Sequence, residues 1–141
     1  MKIETKVERL LKVVEVLDAL PTTKKFHMES WKEETLCGIV GCAAGWAASD
    51  PWFKKRGLTL QTYSSEANYK SYSPIYQGAK GFDALVKFFG LDMEAIDYLF
   101  DTPGTKKQVI ERITRFARAL AYQAEATKLM GNYITILEGN Y

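Results

Sequence analysis

The sequence predicts a mainly α fold: a single compact helical domain of five to six helices with a small Tyr-rich β-hairpin. Three observations predict it. Apolar residues recur at helical spacing over 3–20 and again over 109–120. A Gly/Ala-rich run from Gly41 to Ala48, with Trp46 supplying bulk beside the bare surface, reads as a central helix. Between these, Leu58 to Tyr76 sets rings among Thr, Ser, Gln and Asn in the manner of paired strands.

The chain has 141 residues, 47 % hydrophobic and 26 % charged, which suits one soluble globular domain over 1–141 with a loose tail from about 132. Phe, Tyr and Trp together make 13 % of it, far too many rings for a disordered segment. No stretch approaches 18 consecutive apolar residues, and Met1 to Thr5 carries an acid where a leader would be apolar. The expectation is a cytoplasmic protein with no membrane partner.

The elements follow in order. Ile3, Val7, Leu10, Leu11, Val14, Leu17 and Leu20 form the stripe of a first helix, with Glu8 and Lys12 paired on its polar side and Pro21, Thr22 and Thr23 ending it. Residues 24–36 hold Phe26, Met28, Trp31 and Leu36 between charges, which predicts irregular chain or one helical turn. A second helix is expected from Ile39 to Ser49. Asp50 and Pro51 then read as an N-cap and first helical residue, with Gly57 closing that turn. The hairpin pairs Leu58–Tyr63 with Tyr69–Tyr76. Phe82 to Phe89 is a helix stopped by Gly90, and Asp92 caps another from Met93 to Phe100. Thr105-Lys106-Lys107-Gln108 is a capping box opening the longest helix, which is expected to reach Met130 with Gly131 past its end. Tyr133 to Leu137 reads as a third small strand or loose tail.

The two cysteines stand in Cys37-Gly38-Ile39-Val40-Gly41-Cys42. Structural zinc wants four ligands, and His27 is the single histidine, so neither a metal nor a cofactor is expected. Cys37 or Cys42 with His27 as its base is the enzymatic alternative. Two small buried hydrophobes is the preferred reading. Gly41 and Gly45 inside a helix each cost about 1 kcal/mol against alanine, which calls for a close backbone neighbour, expected to be another helix.

Phe26-x-Met28-x-x-Trp31, followed by Cys37-Gly38-x-x-Gly41-Cys42-x-x-Gly45-Trp46-Ala47, resembles a group of small phage and bacterial proteins of unassigned function. These carry an F-x-M-x-x-W element and then CGTxxCxxGWA. The resemblance continues through Asp50-Pro51-Trp52, Phe88-Phe89-Gly90-Leu91 and Leu99-Phe100, covering residues 26–100, with Ile39 where the pattern often has Thr. It implies a phage or mobile-element setting, and hence interference with host machinery. It implies no catalytic residue.

Net charge is +2, but unevenly spread: residues 81–104 carry one Lys against five acids, and 105–141 carry six basic residues against three acids. Residues 82–100 mimic a helix-turn-helix, yet Asp92, Glu94 and Asp97 on its second helix would face phosphates, which argues against a DNA duplex. The long helix places Lys106 and Lys107 in its first turn and Arg112, Arg115 and Arg118 beside its apolar stripe, with Tyr122 four residues on. Backbone N–H groups and cations together favour an anion. The expectation is a non-enzymatic inhibitor of a host or defence factor. It would bind a host protein or sequester a small phosphorylated molecule on Arg112, Arg115, Arg118, Lys106, Lys107 and Tyr122. Self-association is left open.

Overall fold

The computed structural model describes the backbone of residues 1–21, 24–36 and 38–137 and the side chains of these up to residue 131. Its centre is a six-stranded mixed sheet, so the protein is an α/β fold rather than a helical domain with a hairpin. The strands are β1 (Lys25–Phe26), β2 (Lys32–Thr35), β3 (Gly38–Gly41), β4 (Thr59–Glu66), β5 (Tyr69–Tyr76) and β6 (Ala79–Lys80). They run in the order β1-β3-β2-β5-β4, with β1 parallel to β3 and every other pair antiparallel. β6 pairs with Ile75 and Tyr76 of β5, on the edge that β2 leaves after Tyr72. Gln77 and Gly78, both at positive φ (48° and 81°), make the two-residue turn that joins them.

The helices are α1 (Ile3–Asp18), α2 (Ala43–Ala48), α3 (Pro51–Lys55), α4 (Phe82–Phe89), α5 (Met93–Ile96) and α6 (Lys106–Leu137), with a π-helical turn over Asp97–Asp101. Helices α2 and α4 pack against β5, α1 lies across α2 and α4, and α6 runs along α1. Phe53, Phe88, Phe89 and Phe100 form a fully buried chain of ring contacts through the middle. Above it Leu10, Val13 and Leu17 of α1 and Val109, Ile113 and Ala117 of α6 close the core.

Local sequence rules hold at several element ends. Asp50 accepts from the Trp52 N–H at 2.9 Å, Asp92 accepts from Ala95 N–H at 2.8 Å, and Gly90 ends α4 at φ 65°. Thr105 and Gln108 exchange side-chain-to-backbone bonds at 2.9 and 3.2 Å, the capping box expected of that tetrapeptide. Lys12 pairs with Glu15, at 2.6 Å, in place of Glu8.

Three expectations are corrected. Residues 24–36 contain β1 and β2 in place of irregular chain or one helical turn. Residues 38–41 are strand β3, so the expected helix from Ile39 begins only at Ala43, with Cys42 as its N-cap. Helix α6 passes through Gly131 and continues to Leu137, where a strand or tail was expected. Thr22, Thr23, Cys37 and 138–141 lie outside the described residues.

The close backbone neighbour of the glycines is the chain around Trp31, where another helix was expected. A Cβ on Gly45 would lie 1.6 Å from the Trp31 carbonyl oxygen, and one on Gly41 would lie 3.2 Å from it. Gly45→Ala should therefore cost at least about 3 kcal/mol, since neither backbone can yield without breaking sheet or helix. Gly131, whose added Cβ would meet nothing within 4 Å, is the control. Gly131→Ala should stabilise by up to about 1 kcal/mol in the same urea titration. Equal midpoints for the two variants would refute the contact.

Candidate functional site

The residues of the F-x-M-x-x-W element fold onto the end of β3 and the start of α2. The His27 N–H donates to Gly41 O at 2.9 Å, and the Cys42 N–H is shared between the carbonyls of Ser30 and Trp31, both at 3.1 Å. The Cys42 thiol donates to Trp31 O and accepts the Gly45 N–H, each at 3.5 Å, so it caps α2 and anchors the loop at once. Trp46 Nε1–H donates to Lys25 O at 3.1 Å. The loop is thereby held along its length, and it forms one wall of a cleft of about 300 Å³.

Aromatic rings from separate parts of the chain line the cleft. Trp31 and Phe82 meet with centroids 4.6 Å apart, Phe100 adds the end of the π-helical turn, and Tyr69 and Tyr72 come from β5. Tyr63 stands at the mouth, 79 % exposed. It is the extra residue where the β4–β5 register shifts between Thr62 and Ser64. Such a bulge re-aims a side chain out of the regular alternation.

The polar centre is Glu33. Its Oε1 accepts two hydrogen bonds, from Ser30 Oγ and from the Tyr69 hydroxyl, each 3.0 Å long. The bond to Glu33 raises the Tyr69 pKa, because the carboxylate needs the phenol proton. Desolvation, then a bond to Glu34, raises that of Tyr72. Lys32 also lines the cleft, but its ammonium is tied to Ser49 Oγ at 3.0 Å, between the rings of Trp46 and Tyr72. Burial lowers its pKa.

The predicted basic site is differently disposed. The Arg112 guanidinium donates to Thr102 O at 2.9 Å and Pro103 O at 2.8 Å, closing the loop before α6, and lies 5.8 Å from the Tyr98 ring centroid. Arg115 and Arg118 are exposed further along α6, as are Lys107 and Tyr122, while Lys106 is half-buried. None of the six lines the cleft. A second groove, of about 360 Å³ between α1 and α6, is walled by Ile3, Val7, Ala121 and Ala124 and holds no ring.

No protein family, curated protein or solved structure matches this chain. The site must be read from its own chemistry.

The enzymatic alternative meets two obstacles. Cys42 is a buried free thiol, and burial pushes its pKa up to about 11. His27 is exposed, and its Nδ1 accepts the Glu29 N–H at 3.2 Å. Cys37 lies outside the described residues, and among those described no three His, Cys, Asp or Glu side chains gather as metal ligands.

The sequence marks Trp31 and the tyrosines of residues 63–76 as conspicuous, though not as the expected site, and gives no role to Phe82, Phe100, Ser30 or Glu33 in a cleft. Two signals were available. Lys32-Glu33-Glu34-Thr35 is a fully polar tetrapeptide, and Ser30 precedes it beside the tryptophan.

Two measurements check this account. Arg112→Gln should lower stability by about 1–3 kcal/mol through two lost charge-assisted bonds, while Arg115→Gln and Arg118→Gln should each stay within about 0.5 kcal/mol. Thermal melts that rank the three alike would refute the assignment. In a Cys37→Ser variant, Cys42 should resist a thiol reagent at pH 8 until urea unfolds the chain, because so little thiolate exists below a pKa of about 11. The folded thiol holds its proton longer than the unfolded one, so this contribution to stability is whole below pH 9 and declines as pH rises towards 11.

Proposed function

We propose that this protein is a non-enzymatic binding module whose recognition site is the ring-lined cleft between the Phe26–Trp31 loop and β5. The observation that carries the reading is Tyr63. A large exposed ring, set by a strand bulge at the mouth of a cleft already walled by Trp31, Phe82, Tyr69 and Tyr72, has no role in the core. Rings of this kind supply binding surface at low entropic cost and anchor interfaces. The burial of the Cys42 thiol argues against that residue as a nucleophile.

The partner class comes from the resemblance: a host protein met in the cytoplasm, whose activity the bound module blocks. No described helix is long and apolar enough to cross a membrane. The phosphorylated-molecule version of the function attaches to the exposed Lys107, Arg115 and Arg118 on α6, away from the cleft.

Capture from host lysate, quantified by mass spectrometry, separates the two sites. Tyr63→Ala should lose the captured partner at unchanged melting temperature, and the Arg115→Gln/Arg118→Gln double variant should retain it. The opposite pattern would move recognition to α6.

A further inference from the structure

We propose that the cleft takes a cation: the guanidinium or ammonium group of a basic side chain on a partner protein, with Glu33 as its counter-ion. This rests on the cleft being the recognition site, and it names the ligand chemistry.

Charge selects the sign. Glu29, Glu33 and Asp101 line the cleft, no arginine does, and the one lysine has its ammonium tied to Ser49, which is not a lining residue. An anion entering here meets three carboxylates. A cation meets the same carboxylates and the electron-rich faces of Trp31, Tyr69 and Phe82, which attract positive charge within about 6 Å.

Glu33 is set up in advance. Ser30 Oγ and the Tyr69 hydroxyl both donate to its Oε1, fixing the side chain, while its Oε2 has no hydrogen-bond partner among the described residues. A carboxylate held by neighbours with one oxygen left open is an acceptor awaiting a donor, and charge-assisted bonds are the strong ones. The volume, about 300 Å³, is at the low end for ligand clefts and admits one long side chain.

The geometry favours a protein as the source over a free polyamine. Strand β4, which presents Tyr63, ends the sheet, and among the described residues no strand pairs its outer edge. A partner chain whose basic side chain enters the cleft has this edge beside it for its own backbone.

The test uses the full chain, with amide shifts of Glu33, Tyr69 and Ser71 followed by NMR. The probes are acetyl-Gly-Arg-Gly-amide, its neutral citrulline counterpart, spermidine and inorganic phosphate. The arginine peptide should move these amides, more weakly as salt is raised, and citrulline should bind at least about tenfold less tightly for want of charge. Glu33→Gln, which keeps an acceptor for Ser30 and Tyr69, should lose at least about tenfold in affinity at unchanged melting temperature. Asp101→Asn, remote from those bonds, should lose affinity in the same direction. Citrulline or phosphate binding as tightly as arginine would overturn the proposal, as would unchanged affinity in both variants. Spermidine acting at lower concentration than the peptide would overturn the protein source. If no probe moves the amides while Tyr63→Ala still loses its captured partner, the cation proposal fails and the cleft remains the recognition site. If Tyr63→Ala also keeps its partner, both readings fail.

Discussion

The Trp31 carbonyl sits where four requirements meet. It accepts from the Cys42 N–H and from the Cys42 thiol, it leaves room for nothing larger than hydrogen on Gly45, and it lies close over Gly41. A loop, a strand end and a helix start are thereby locked at van der Waals distance with their buried polar groups satisfied. Unpaired buried groups cost about 1–3 kcal/mol each, so the arrangement is stable only when all of these partners are present together. That dependence gives the cysteine and glycine spacing of residues 41–45 a physical reason that needs neither metal nor catalysis. The thiol serves as a cap, and the glycines are clearances.

From this lock the cleft follows. Holding Trp31 fixes Ser30 before it and Lys32 and Glu33 after it, and these emerge on β2 in alternation. Lys32 reaches towards α2, where Ser49 Oγ accepts its ammonium. Glu33 reaches Ser30 and Tyr69. The strand is polar because it lies between two surfaces that each need a charge, with Glu34 directly opposite Lys70 and Lys32 directly opposite Tyr72. Core burial does not set its sequence.

That polarity is also why the sheet was hard to see in the sequence. Helices α1, α3, α4 and α6 announce themselves through apolar period and capping residues, and the β4–β5 hairpin through its rings. Strand β2 has no apolar alternation at all. Strand β3 reads Gly-Ile-Val-Gly and merges with the small residues of α2, so that the two look like one helix. The two strands pair with each other within residues 32–41, but neither carries the alternation that would announce the pairing, and the second partner of β2, strand β5, lies far along the chain. The candidate site was half legible for the same reason. Rings stand out by composition, whereas the role of Glu33 depends on Tyr69, 36 residues away. The arginines of α6 were conspicuous by spacing, but Arg112 proves to be a clasp on the Thr102–Pro103 carbonyls.

The alternation of β2 also explains how one short strand can serve both the fold and the cleft. Side chains of successive residues leave opposite faces, so a slip of one residue would exchange every inward and outward group. Here such a slip would carry the Lys32 ammonium to the Tyr69 side and the Glu33 carboxylate to the Trp46 ring, whose face repels negative charge. The Trp31 carbonyl, locked by Cys42 and Gly45 one residue before β2, forbids the slip. The same contact that holds α2 to the sheet therefore places the Glu33 carboxylate at the cleft. Gly45 itself lines no part of the cleft; it acts on it only through the Trp31 carbonyl.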